Sequence, residues 1–520
     1  MGDVAVRSRW RDPLLYAGLA VFGGIVALYL LRIGSDPPGL YDDEASIGYN
    51  AWTIVHYGTD QYGLHFPLFF TDFGDYKEPA ATYLVAPLTW LLGTGPAVVR
   101  LPSVLAGIAL CLIAGRLAFR LTGSQVVALL TSALTALQPW VFLLSHVMLG
   151  GNILMVLCAM LAVWLIAEAA ADRADPRLWS LAGLALGVCV YTYSIGRLLA
   201  LLIAGVAVVS FVRVGPRALA RFVFPLAAAY IVLGAWWLTH PGALSARFQA
   251  VGLFSDHPSA TTAIGRFAGN YVSYFSPDFL LIKGDGNLRQ TTGFGGVLLG
   301  VTLPLVILGA IRVVSRWRQP YSRFIALGTL IAPVPAALAL AAPHALRGAG
   351  LIPFFVVLLA EGTAWLWSLL RSQRLIAAAL AVAAIGSATP YLVDFFTAYP
   401  TRAALAFQAG EGQALHRAYS EAEVGSHALF LSASLNQPAL QLMYAVLAVP
   451  PQDDFIRRGR ITVVVERRQL AAAAPGDVLV LGPADVPPTG TRLLFVVRGG
   501  RMLSAPVGIS AADLLRVYMA

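Results

Sequence analysis

Apolar residues are not spread evenly along this chain. They gather in runs near 14–33, 98–119, 124–143, 149–170, 178–194, 198–213, 219–238, 294–314, 323–342, 350–370 and 373–392. A bilayer crossing needs about 20 consecutive apolar residues in a helix. The pattern therefore predicts a polytopic α-helical membrane protein with about 11 transmembrane helices. Two long polar intervals, 34–97 and 239–293, interrupt the runs. Within the first, 44–57 and 79–93 read as helices lying along the membrane interface. After residue 392 the pattern changes to short alternating segments at 428–431, 461–465, 478–481 and 493–497, with helical stretches at 402–424 and 437–448. Ser510 is placed to cap a last helix at 511–519. Residues 1–392 thus form a membrane domain, and 393–520 a small α/β domain.

Charge fixes the expected topology. Arg116 and Arg120, Arg173 and Arg177, Arg213, Arg217 and Arg221, the four arginines at 312–323, and Arg371 and Arg374 all fall in alternate short loops. By the positive-inside rule these loops are cytoplasmic. The N-terminus (Arg7, Arg9, Arg11) is then cytoplasmic as well, and its apolar run is an uncleaved first anchor. The long loops 34–97 and 239–293 and the C-terminal domain lie outside, which predicts a multi-pass protein of the cell membrane.

Composition agrees. The chain is 58% hydrophobic and 12% charged, against about 25% charged in a soluble domain. The net charge of +9 sits in the loop arginines, so it marks topology and not a nucleic-acid partner. Cys111, Cys158 and Cys189 all lie in apolar runs, without metal-ligand spacing, so no disulfide and no metal site is expected. There is no Walker glycine loop and no serine nucleophile elbow.

The polar residues that could carry chemistry lie on the outer side. Asp42, Asp43 and Glu44 open the first loop helix. One reading is a helix N-terminus, with an Asp as cap and acids favouring the dipole. The other is a general base or cation site at the membrane surface. Lys77, in Phe-Gly-Asp-Tyr76-Lys77-Glu78-Pro79, is the only Lys or Arg between 34 and 97, and one of two lysines in the chain. It reads as a salt-bridge partner or as a point charge for a phosphate. His344 and Arg347 share a face at an outer helix start, where the positive-inside rule gives no reason for arginine. The glycine-rich loop 276–296 offers Asp285, Asn287 and Arg289 as substrate contacts, and His146 sits at an outer turn. Arg197, in another outer turn, is assigned to packing.

The stretches Tyr-Asp-Asp-Glu-Ala-Ser (41–46), Phe-Gly-Asp-Tyr-Lys-Glu-Pro (73–79), Val-Arg-Leu-Pro-Ser (99–103), 276–287 and 343–353, in this order, resemble the GT-C superfamily of glycosyltransferases that use polyprenyl-phosphate sugars. The likeness is greatest to glycosyltransferase family 39, the protein O-mannosyltransferase-like enzymes, to which the aminoarabinose transferases of lipid A are related. The resemblance implies an inverting enzyme with Asp43 as base and Glu44 as its support. Lys77 and Arg347 are then ligands of the donor phosphate, helped by His344. Asp42, Tyr76, Asp285, Asn287, Arg289 and His146 are further candidate contacts. It also implies a hydroxyl acceptor (protein, glycolipid or polysaccharide) and no cofactor, although the carboxylates leave room for a divalent cation. Two departures stand out. Ser145-His146 replaces an arginine common in relatives, and Lys77-Glu78-Pro79 replaces Lys-Pro-Pro. The rival class is a lipid or polysaccharide transporter, which would carry its charges inside the helices.

Overall fold

The structure, a computed structural model, describes residues 13–72, 74–171, 175–369, 372–464, 467–510 and 512–520. Arg7, Arg9, Arg11, Arg173 and Arg371 of the topology reading, Phe73 of the lysine motif and Val465 lie outside the described residues. Among the described residues, six helices are long and apolar enough to span a bilayer: Pro96–Thr122, Asn152–Ala170, Ser194–Val214, Pro216–Thr239, Ala345–Leu369 and Leu375–Thr397.

A seventh expected span is a pair, Gln125–Ala136 and Pro139–Ser145, bent by 65°. Proline has no N–H and disfavours helix in the residue before it, so Gln138-Pro139 breaks the run. The buried Gln138 side chain satisfies the break. Its Nε2 donates to the Leu134 carbonyl at 2.8 Å, and its Oε1 accepts the Leu299 N–H at 3.1 Å.

The other four expected spans are shorter helices. They appear as Tyr16–Leu30, Arg177–Cys189, Gly300–Ser315, and Pro320–Ile331 followed by Val334–Ala337. The run at 294–314 starts late because its first residues belong to the glycine-rich loop. The run at 323–342 is interrupted at Pro333 and Pro335. Two neighbouring helices, Leu303–Ser315 and Ile352–Leu369, touch backbone to backbone. A methyl group added at Gly309 would sit 1.9 Å from the Leu358 carbonyl oxygen, and one at Gly362 would sit 1.8 Å from that of Leu305. Small residues allow this closeness in membrane helix pairs.

Both helices of the first long loop are present. Pro79–Leu92 exposes Leu84, Trp90, Leu91 and Leu92, as expected of an interfacial helix. Asp42–Tyr57 departs from that expectation because it is buried on two sides. Ile47, Ala51 and Ile54 join the core of the membrane domain, while Ala45, Tyr49 and Trp52 join the core of the C-terminal domain. It ends at Gly58, whose left-handed backbone (φ 68°) lets its N–H reach the Ile54 carbonyl.

Strands β1 (Phe70–Asp72) and β2 (Asp75–Lys77) form a hairpin between the two loop helices. The C-terminal domain is one six-stranded sheet. Its strands are β3 (Leu429–Ser432), β4 (Ile461–Val464), β5 (Val478–Leu481), β6 (Arg492–Arg498), β7 (Arg501–Ser504) and β8 (Asp513–Met519), in the order β4-β3-β5-β8-β6-β7. The first three are parallel, and the last three pair antiparallel. Helices Glu411–Val424 and Pro438–Val446 cover one face.

The helix expected at 511–519 is absent. Its described part is β8, held between β5 and β6. Leu514, Leu515, Val517 and Tyr518 are all buried there, and β-branched and aromatic residues suit a strand enclosed on both faces. Ser510 instead accepts the Ala512 N–H at 3.2 Å with its hydroxyl and donates its own N–H to Asp513.

Candidate functional site

The helix Asp42–Tyr57 starts two residues before the expected 44–57, and its three acids take three directions. Glu44 is fully buried, and its two oxygens each take a hydrogen bond from Arg100, from Nε and Nη2, at 2.8 Å. It also accepts the N–H groups of Met148 and of Tyr41, at 3.1 and 3.3 Å. Arg100 in turn donates to the Pro37 and Gly39 carbonyls at 2.7 Å. Glu44 therefore fixes the first turn of the helix and does not line the cavity described below.

Asp42 is not the cap either. It is 1% exposed, and the residue before the helix is Tyr41. Its Oδ1 accepts from Gln441 at 3.2 Å, and its N–H donates to Gln408 Oε1 at 3.1 Å. Burial pushes its carboxyl up to about 7, against the hydrogen bonds of Gln441 and Gln408.

Asp43 alone opens to solvent. Its Oδ1 lies 3.2 Å from Lys77 Nζ, with both side chains about a quarter exposed (24% and 22%). Lys77 reaches it from β2. The hairpin register pairs Lys77 with Phe70 and Asp72 with Asp75, across a turn at Gly74 whose φ of 72° suits glycine. Behind them Asp72 is buried, and desolvation raises its carboxyl to about 7 despite a hydrogen bond to Ser46.

Asp43 and Lys77 open into a cavity of about 180 Å³. Its wall contains Tyr41, Tyr76, Glu78, Tyr193, Arg197, Asn287, Arg289, His344 and Arg347. Segments far apart in sequence, from the first loop, the glycine-rich loop and the short helix Ala345–Gly348, thus meet at one place. Tyr76 packs edge-on against Trp236. Arg289 lies over the Tyr41 ring at 3.9 Å, and its Nε donates to Asn287 Oδ1 at 3.2 Å. His344 caps its short helix, its Nδ1 accepting the Arg347 N–H at 3.3 Å. The Arg347 guanidinium makes no hydrogen bond or ion pair with any described residue.

Two sequence candidates lie elsewhere. Asp285 accepts the N–H groups of Ala345 and Asn287, at 2.8 and 2.9 Å, and so ties the glycine-rich loop to the Arg347 helix from behind. His146 is fully buried among Phe142, Phe395 and Tyr29, with Nδ1 on the Phe142 carbonyl at 2.7 Å. The aromatic packing, which the lone polar letter conceals, keeps it out of the cavity.

Arg197, assigned to packing from its sequence, lines the cavity and pairs with buried Glu78 at 2.6 Å. The argument applied to Arg347, an arginine at an outer helix start, would have found it. Tyr41 carried no such signal. Among the described residues no three His, Cys, Asp or Glu side chains converge as a metal-binding group.

A second space, of about 280 Å³, adjoins the first and shares Tyr193, Ser194, Arg197 and Arg347 with it. The rest of its lining is mostly apolar: Ile195, Leu198, Phe248, Val251, Pro335, Leu338 and Ala339. A polar, cation-rich chamber thus continues into a greasy groove.

Residues 77–238 match the family described as dolichyl-phosphate-mannose-protein mannosyltransferase. No curated protein matches the sequence. The structure is similar to ArnT from Cupriavidus metallidurans in the apo state, with TM-score 0.59, 13% identity, and coverage of 99% of this chain and 98% of that one. The ArnT structure bound to undecaprenyl phosphate gives TM-score 0.58, 12% identity and coverage of 96% and 98%. The Archaeoglobus fulgidus oligosaccharyltransferase tethered with an acceptor peptide gives TM-score 0.53, 11% identity and coverage of 91% and 70%. At such identities the likeness is one of fold.

Proposed function

We propose that this chain is an integral-membrane, inverting glycosyltransferase. It moves a sugar from a polyprenyl monophosphate to a hydroxyl acceptor on the outer face of the cell membrane, with the N-terminus inside and the C-terminal domain outside. The observation that carries this reading is the junction at Arg347. An unpaired guanidinium stands where the cation-lined chamber meets the apolar groove, which is the place a lipid-linked phosphate would occupy. The similar fold of ArnT, solved bound to undecaprenyl phosphate, supports a lipid-linked phosphate as the ligand class.

In this reading the carrier tail lies in the groove and its phosphate lies between Arg347 and Lys77. As the ammonium turns to the phosphate, Asp43 is released to act as base. The acceptor oxygen forms the new bond to the anomeric carbon and its proton passes to Asp43. The bond from that carbon to the phosphate oxygen breaks, and its electron pair leaves with polyprenyl phosphate. Attack opposite the leaving group inverts the centre. Lys77, once turned, and Arg347 meet the charge that grows on the phosphate, and no step needs a metal. Glu44 and Arg100 act through position alone, by holding the helix that carries Asp43.

The test is turnover of a panel of polyprenyl-phosphate sugars by purified protein, read as released polyprenyl phosphate. Asp43→Asn is expected to lower the rate by about 10²–10⁴-fold with the fold intact. Normal turnover by that variant would remove Asp43 as the base, and lipid scrambling without donor consumption would favour a transporter.

A further inference from the structure

A third space, of about 460 Å³, lies between the membrane domain and the C-terminal domain. Its walls come from 39–40 and 94–96 on one side, and from 408–416 and 441–445 on the other. Its chemistry is the opposite of the catalytic chamber's. No Asp, Glu, Lys or Arg lines it, and three glutamines do: Gln408, Gln413 and Gln441. Gln413 and His416 stand three residues apart on Glu411–Val424, both exposed. Neither side chain has a hydrogen-bond partner among the described residues.

Only a thin wall separates this groove from the chamber. Gly39 and Leu40 face the groove, while Tyr41 and Asp43 face the chamber. The groove floor also bonds through that wall. Gln408 Oε1 accepts the Asp42 N–H at 3.1 Å, and Gln441 Nε2 donates to the Leu40 carbonyl at 3.0 Å. Across the rim, Asn436 of the C-terminal domain donates to the Tyr41 hydroxyl at 3.3 Å.

We propose that this groove is the acceptor site and that its ligand is a neutral oligosaccharide chain. The inference rests on the glycosyl-transfer reading above and names the acceptor class. Primary amides both donate and accept, as sugar hydroxyls do. An acceptor bearing phosphates or carboxylates would meet no cation here. An extended peptide would be held along a sheet edge, but the edges of the C-terminal sheet are β4 and β7, and neither lines the groove. The body of the glycan lies in the groove, and its terminal hydroxyl reaches over the 39–41 rim to Asp43.

The experiment uses the full chain in lipid nanodiscs. Binding of linear mannohexaose and of linear glucohexaose is measured by saturation-transfer NMR and calorimetry, for the native protein and for Gln413→Ala/His416→Ala. Binding of undecaprenyl phosphate is measured in parallel. At least one hexasaccharide is expected to bind saturably, and the double variant to weaken it about tenfold or more, as for two lost hydrogen bonds, with undecaprenyl phosphate binding unchanged. Equal binding by native and variant protein, or no binding of either sugar at millimolar concentration, overturns the proposal. So does Gln413- and His416-dependent binding of a neutral Ser/Thr-rich peptide in their place. Hexasaccharide binding without undecaprenyl phosphate binding would leave the groove standing and remove the donor reading. The converse would remove the groove alone.

Discussion

Three adjacent carboxylates, Asp42, Asp43 and Glu44, have three fates, and each gives a distinct expectation. Glu44 and Arg100 are buried without solvent contact. Arg100→Ala leaves an uncompensated buried charge, and a loss of about 3–5 kcal/mol is expected. It is checked by thermal unfolding in detergent, with Glu44→Gln/Arg100→Met expected to recover part of the loss. Lys77 differs because its pair with Asp43 is partly exposed and adds little to stability. Lys77→Ala is expected to leave the melting temperature nearly unchanged and to raise the donor KM about tenfold or more, since charge-assisted hydrogen bonds to a phosphate are the strong ones. A collapse of folded yield in that variant would assign Lys77 to structure instead. The motif spelled out the acids but not their directions. The helix start at Asp42 decides which of them faces the chamber, and the partner that claims Glu44 comes 56 positions later.

At the scale of elements, the helix that carries Asp43 meets the C-terminal domain beside a second buried acid. Glu411 is 1% exposed, and burial raises its carboxyl to about 8, with Asp42 adding like-charge repulsion. Both acids bind protons more tightly in the folded state than in the unfolded chain. Their contribution is therefore fully present below about pH 4, near their unfolded values. It is lost as pH rises through about 7 for Asp42 and about 8 for Glu411. Between pH 5 and pH 8.5 the native protein is expected to lose more melting temperature than Glu411→Gln, which keeps the shape without the charge. Equal slopes would show that this junction does not titrate.

Strand β8 gives the other expectation at this scale. Truncation after Ser510 is expected to leave the C-terminal domain unfolded and protease-sensitive, because β8 is an inner strand and not a terminal helix. The periodicity of the long apolar helices was legible from composition alone. The 511–519 segment was not, because its sheet neighbours β5 and β6 lie elsewhere in the sequence.

For the whole molecule, the chamber, the apolar groove and the amide-lined groove all lie on one side of the fold. The loop arginines 213, 217, 221, 312, 316, 318 and 323 are the ones that the positive-inside rule assigns to the cytoplasm. Single-cysteine labelling in intact cells is expected to modify a cysteine placed at Val424, which is exposed on the C-terminal domain, and to miss one at Arg318.

The contact of Gly309 and Gly362 with the opposite backbone has a consequence for motion. Helices that touch without intervening side chains cannot slide or part without opening an unfilled gap. That seam is the stator of the machine. The travel needed to admit a lipid carrier and release it must fall on the far wall, where Ala243–Val251 lends Phe248 and Val251 to the apolar groove and Ala260–Ser273 buries only Ala263. Hydrogen exchange should divide the protein along this line, slow along 303–315 and 352–369 and fast along 243–273.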